Sequence, residues 1–321
     1  MLPLTEMASR VWKTTHGRGI EEKEAKYTTE QFATQLMSNF GKVQRPDRSR
    51  TFHVGGITTS GPGMPCFSIH TSGRRPSSVT IRTLRAAAAV LSLAYGPCQS
   101  SSRKLDVFLH DDPRPKVFPT GTFVRTQDIN SGFSSPGKIV VFRCSEMHRT
   151  LVHELVHAWG VHGSDSKRAQ AIASRELGAP SDCLLTESYV EAVTWLVHGG
   201  FCPTGLDTKY ALSTAHAYLD VMDDGRTNGW AYFVGKALLV MDGGRRFHDT
   251  FFAYKGDELG DVVGVRLCNA GTHRSLVHIM TEAYPEFRRA TKSASTLASH
   301  RHAILLCPCS LGSGYEAARG V

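Results

Sequence analysis

Residues 150–163 read TLVHELVHAWGVHG. Three histidines and a glutamate stand in an otherwise apolar run, and the segments around it take their meaning from how this run is read. Leu151, Val152, Leu155, Val156, Ala158 and Trp159 predict a buried helix that stops at Gly160, because glycine commonly terminates helices. His153 and His157 are four residues apart, so on a helix both side chains project from one face about a turn apart and can reach a single ion. Glu154 adjoins the first histidine, where its carboxylate can take a proton from a water on that ion. The spacing is HExxH, and its chemistry is zinc held by two neutral imidazoles and a third protein ligand, with one position left for water. The competing reading is a core helix whose histidines are satisfied by carbonyls and whose glutamate pairs with an arginine. A metal accounts for all three residues together, since acidic groups are rarely buried without a partner.

Just before this helix, KIVVFR (138–143) reads as a strand, in the place where a zinc peptidase would run the edge strand that pairs with an extended peptide. Further back, KLDVFLH (104–110) alternates, with Leu105, Val107 and Leu109 on one side. A helix runs from a cap at Ser78 to Gly96-Pro97, with Ile81, Leu84, Ala88, Leu91 and Tyr95 at helical spacing. Residues 55–78, dense in Gly, Pro and Ser, read as loop, as does the INSGFSSPG segment. The C-terminal half is expected to be mostly helical, over about 183–198, 208–222, 229–241 and 273–292. The expected fold is α+β: a small mixed sheet, the histidine helix, then a mainly helical half. Its divisions are a polar N-terminal extension (1–48, with a loose helix near 28–40), a domain at 49–300 and a tail at 301–321. Within the domain the sheet occupies about 49–160 and the helices about 161–300.

Two sources for the third ligand follow from the sequence. In the metzincins the motif continues as HExxHxxGxxH; here Gly160 is in place, but the ligand position is Gly163 and His162 falls one residue early. In the gluzincins the third ligand is a glutamate on a later helix, with an acidic residue one turn beyond that supports a metal-bound histidine. LLTESYVEAVTWLVHGG (184–200) resembles that arrangement: Glu187 and Glu191 share one face of an otherwise apolar helix. The resemblance is therefore to gluzincin-type zincins and covers mainly 138–198. INSGF, KIVVFR, the HExxH helix and ESYVE together also look like uncharacterised zincin-like proteins encoded by large DNA viruses. It implies a zincin-like fold, Zn2+ as cofactor, His153, His157 and Glu187 as metal ligands, and Glu154 as general base. Glu191 is then the group that orients His153 or His157, though the two glutamates could exchange places, and His162 joins it among the residues around the ligands. A further His or Tyr is needed to stabilise the oxyanion; His216 and Tyr232 are named from Tyr189, His198, His216, Tyr218 and Tyr232.

The 321 residues carry a net charge of +8 and are 41% hydrophobic, enough for a sizeable core. The basic residues are spread out, with Arg82/Arg85, Arg245/Arg246 and Arg288/Arg289 the densest groups, and no aromatic interleaving marks a nucleic-acid groove. Eight cysteines without CxxC spacing favour reduced thiols. The N-terminus lacks a secretory h-region, and the most apolar window (85–96) is too short to span a bilayer. The expectation is an intracellular, cytoplasmic zinc metallopeptidase acting on a peptide or protein, with an acidic tail compatible with the charge. The alternatives are a catalytically degenerate zincin scaffold or virion-associated interaction protein, and a basic nucleic-acid-associated protein.

Overall fold

A computed structural model describes residues 2–36, 50–54, 66–71, 75–98, 104–110, 129–143, 146–202, 206–219, 228–254 and 261–294. The alternating segments of the first half form a sheet of β1 (Ile20–Lys23), β2 (Arg50–Val54), β3 (Cys66–Thr71), β4 (Lys104–Leu109), β5 (Gly132–Ser135) and β6 (Lys138–Val141). Their spatial order is β1-β2-β3-β4-β6-β5. The β3–β4 and β4–β6 pairs are parallel and the others antiparallel, so the sheet is mixed. Around it stand α1 (Pro3–Thr14), α2 (Thr29–Leu36), α3 (Ser78–Tyr95), α4 (Met147–Ala158), α5 (Lys167–Leu177), α6 (Leu185–Phe201) and α7 (Thr208–Leu219). A π-helical turn, Ala231–Gly235, runs into α8 (Lys236–Val240); then come α9 (Arg245–Phe251), the hairpin of β7 (Phe252–Tyr254) and β8 (Val262–Gly264), and α10 (Ala270–Ala294). The fold is mixed α+β, and no described helix is long and apolar enough to cross a membrane.

The two faces of the sheet bury different cores, as the period of two along a strand requires. Leu105, Val107 and Leu109 of β4, with Ile139 and Val141 of β6, join the main core under α3 and α4. Phe108, Val140 and Phe142 face the other way and meet Phe32 of α2. Ser77 accepts from the Thr80 backbone N–H and so caps α3 one residue before the expected Ser78, and the helix stops at Gly96. Its Ala86–Ala89 run is almost wholly buried, and these small side chains let α3 lie close to its neighbours.

Four expectations need correction. The 55–78 loop contains β3, where Phe67 and Ile69 are buried; residues 55–65 and 72–74 lie outside the described residues. KIVVFR is not the edge strand: Phe133–Val140 and Ser134–Ile139 pairing places β5 outside β6, so among the described strands the segment expected as loop forms the edge. Residues 1–48 are not merely an extension, for Leu4, Met7 and Ala8 of α1 belong to the main core. A Cβ on Gly200 of α6 would lie 2.5 Å from the Thr5 carbonyl oxygen and 2.6 Å from Ala8 Cβ, so only glycine admits α1 there. Cys66, Cys183 and Cys268 are free thiols and Cys98 donates its thiol to the Ala158 carbonyl at 3.2 Å, but Cys202 is disulfide-bonded. Cys307, Cys309 and the 301–321 tail lie outside the described residues.

Candidate metal centre

The histidine segment forms α4, packed against β5, β6, α3 and α6. Leu151, Val152, Leu155 and Val156 are fully buried, which leaves His153 and His157 on the side facing α6. Trp159, also fully buried, donates its indole N–H to the Gly96 carbonyl at 3.2 Å, and Gly160 turns the chain with φ of 59°. Helix α6 is oriented by Asp165, which accepts from the Thr186 backbone N–H at 3.0 Å and from its hydroxyl at 2.8 Å. Two buried helices thus bring their inward carboxylates and imidazoles together.

His153 Nε2 and His157 Nε2 are 3.1 Å apart, and Glu187 Oε2 lies 3.5 Å from the first and 3.3 Å from the second. Glu187 Oε2 is buried and accepts no aligned hydrogen bond. Two ring nitrogens and a carboxylate oxygen therefore converge within 3.1–3.5 Å of one another. A tetrahedral ion with bonds of about 2.0–2.1 Å has ligand atoms about 3.3–3.4 Å apart, close to all three edges of this triangle. The donor set, two imidazoles and one carboxylate, also suits zinc, and these three residues form the group of possible metal ligands found among the described residues.

The surrounding residues hold the rings. Glu191 Oε1 faces His153 Nδ1 at 3.1 Å, as an ion-pair contact out of line for a hydrogen bond, while its Oε2 pairs with Arg149 and with Lys236 Nζ at 3.5 Å. His157 Nδ1 meets His162 Nε2 at 2.6 Å. Burial disfavours the His153 imidazolium, but Glu187 and Glu191 override it and raise the pKa to about 10 without metal; the pocket favours a cation at Nε2. Burial alone would raise the Glu187 and Glu191 carboxyls. The histidines hold Glu187 far below the usual range, and Arg149, Lys236 and His153 do the same for Glu191. His162 is shifted the other way, its pKa lowered by burial and by the neighbouring His157.

Glu154 is 4% exposed and its pKa is raised by burial, against the opposing pull of His153 and His157. Ser134 of the edge strand hydrogen-bonds it, and Gly132 lies so close that a Cβ there would be 3.1 Å from Glu154 Oε1 and 2.6 Å from the Val140 carbonyl oxygen. His153 and Glu154 open onto a cleft of about 40 Å3, lined also by Gly132 of β5 and by Arg149, Glu191, Tyr232 and Lys236. At about 10–15 Å3 for each water, it has room for about three or four waters.

Of the residues named from sequence, the structure gathers His153, Glu154, His157, His162, Glu187, Glu191 and Tyr232. Tyr232 lies on the π-helical turn with its ring centroid 5.9 Å from that of His153, and burial with the nearby Glu187, Glu154 and Glu191 charges raises its pKa well above the ordinary value. His216, half-buried on α7, is not among the residues lining the cleft. Sequence reasoning missed Arg149 and Lys236. Arg149 carries a signal, since it stands four residues before His153 on the same helix face; Lys236 carries none. Protein-family models, curated proteins and solved structures give no match to this chain.

Proposed function

We propose that the protein is a zinc-dependent hydrolase of peptide bonds with a zincin-like fold of the gluzincin arrangement. The observation that carries this reading is the triangle of His153 Nε2, His157 Nε2 and Glu187 Oε2, with edges of 3.1, 3.3 and 3.5 Å, beside the buried Glu154. Placement of the third ligand on α6, rather than at Gly163, favours gluzincin over metzincin geometry. When bound, zinc would supply Lewis-acid polarisation of a carbonyl and an acidified water.

The chain's own residues then divide the work. His153, His157 and Glu187 bind the ion; Glu191 and His162 fix the two rings so that each Nε2 presents its lone pair. Glu154, with its pKa raised mainly by burial, accepts the proton from the attacking water and returns it to the leaving amine. Tyr232, which lines the cleft and is kept protonated, is the group that donates its hydroxyl to a developing oxyanion in this reading. Edge strand β5 lies next to Glu154, and an extended peptide added along it would be gripped through its backbone.

The test is Glu154→Gln in zinc-loaded protein, screened against a peptide library by mass spectrometry. Cleavage by wild type and loss of at least a hundredfold in the variant, with zinc retained, is the expected result. Equal cleavage by both would remove Glu154 from the chemistry, and no cleavage by either would favour a zincin-fold scaffold.

A further inference from the structure

The turn after the metal helix is gripped from a segment more than a hundred residues away. Arg266 Nη1 donates to the Trp159 and Gly160 carbonyls, both at 2.8 Å, and its Nη2 donates to the Tyr95 carbonyl at 2.7 Å. These acceptors include carbonyls at the C-terminal end of α4, which have no helical partners of their own. The adjoining backbone continues the grip: Leu267 N–H donates to Val161 at 2.8 Å, Gly163 N–H donates to Leu267 at 2.7 Å, and His162 forms a parallel bridge with Leu267. Val265 is tied in turn to the Phe251 carbonyl at 2.7 Å and to the Tyr189 hydroxyl.

His162 lies inside this clamped turn, and its Nε2 is 2.6 Å from His157 Nδ1. For His157 Nε2 to offer its lone pair to an ion, the ring proton must sit on Nδ1 and be accepted there. The shift of His162 one residue short of the metzincin ligand position has a geometric use: the side chain reaches the back of His157 rather than the ion. An imidazole thus occupies the place that a carboxylate takes behind His153, where Glu191 Oε1 approaches Nδ1 at 3.1 Å.

We infer that Arg266 is a positioning residue of the metal centre, acting through His162 to fix the orientation and tautomer of His157. The inference rests on the zinc-binding reading above. It makes the metal site dependent on the segment at 265–268 as well as on α4 and α6, although that segment provides no ligand.

Zinc affinity is measured by competition with a chromophoric chelator for the full-length wild type, His162→Ala, His162→Asn, Arg266→Met and the double variant His162→Ala/Arg266→Met. Folding is monitored by circular dichroism, and the cobalt(II)-loaded forms supply ligand-field spectra. Each of His162→Ala and Arg266→Met is expected to weaken zinc binding about 10–100-fold and to alter the cobalt spectrum. The double variant should be no weaker than the worse single one, because the two act on one ring. His162→Asn, which keeps a side-chain acceptor, should recover part of the loss. Arg266→Lys serves the same comparison if Arg266→Met does not fold. Folded variants that bind zinc within twofold of wild type, or losses that multiply fully in the double variant, would overturn the inference alone. A wild type that takes up no zinc would overturn the metal reading and this inference together.

Discussion

Glu191→Gln separates a supporting carboxylate from a metal ligand. The carboxyl is almost wholly buried, with Arg149 and Lys236 on Oε2 and His153 on Oε1. Glutamine keeps the volume, so no cavity opens, but the charge that faces two cations is lost. Removing one partner of a buried ion pair costs about 3–5 kcal/mol. Arg149 retains a fifth of its side-chain exposure, which places the expected loss near the lower end, at about 3 kcal/mol. At about 2–4 °C per kcal/mol for a domain of this size, the metal-free variant should melt roughly 6–12 °C below wild type. The sign with pH is fixed by the depressed carboxyl: burial raises it, but Arg149, Lys236 and His153 pull it well below the usual range. The contribution is therefore complete above the unfolded pKa of about 4.3 and is lost as pH falls through the folded value. Wild type and variant should differ by a constant amount at neutral pH and converge in acid. Urea denaturation of metal-free protein from pH 8 down into acid well below the unfolded pKa of about 4.3 gives the stability, and a chelator competition gives zinc affinity, expected to fall about 10–100-fold with one site per chain retained. Equal stabilities would refute the buried-pair account, and loss of the zinc site itself would make Glu191 the ligand in place of Glu187.

Other perturbations read different parts of the structure. Gly132→Ala places a methyl 2.6 Å from the Val140 carbonyl oxygen and 2.7 Å from Thr150 Cγ2; it should destabilise by about 1–3 kcal/mol and lower turnover by displacing β5 from Glu154, with an unchanged kcat against any peptide the wild type cleaves being the contrary result. Asp106 bonds His70 Nε2 at 3.1 Å and Lys26 Nζ at 2.9 Å, and these partners outweigh its burial and hold its carboxyl below the ordinary value. Asp106→Asn should cost about 1–2 kcal/mol at pH 7, a difference that persists above the unfolded pKa near 3.9 and fades as pH falls through the folded one; a pH-independent difference in urea midpoints would count against it. Chelation should lower the thermal midpoint, because a ligand bound only to the folded state stabilises by about 2.7 kcal/mol at a hundred times its Kd, and His157→Ala should remove that response in a differential scanning measurement.

The parts of this fold legible in sequence are those where periodicity is strong and local. Helices α3, α4 and α6 follow from apolar residues at helical spacing, and β4 from the alternation of Leu105, Val107 and Leu109. Strand β3 was hidden because Phe67 and Ile69 sit among Gly, Pro and Ser, and β5 because Gly132–Ser135 has little intrinsic strand preference and is ordered by pairing with β6. Helix α1 was obscured by its many polar residues, although Leu4, Met7 and Ala8 carry the 3–4 spacing that meets α6. At the site, the four-residue spacings placed His153 with His157 and Glu187 with Glu191, since helix geometry is local. That Glu191 turns to His153, that His162 turns to His157, and that Arg266 grips the intervening turn depend on contacts between distant segments, which spacing alone does not encode.

Metal content tests the central claim most directly. Elemental mass spectrometry on protein purified without added metal and without a metal-binding tag, compared with His157→Ala and Glu187→Gln, should find about one zinc per wild-type chain and a marked loss in both variants. Well-folded wild type that carries no metal and takes up none when zinc is offered would contradict the account and make residues 150–163 a core helix.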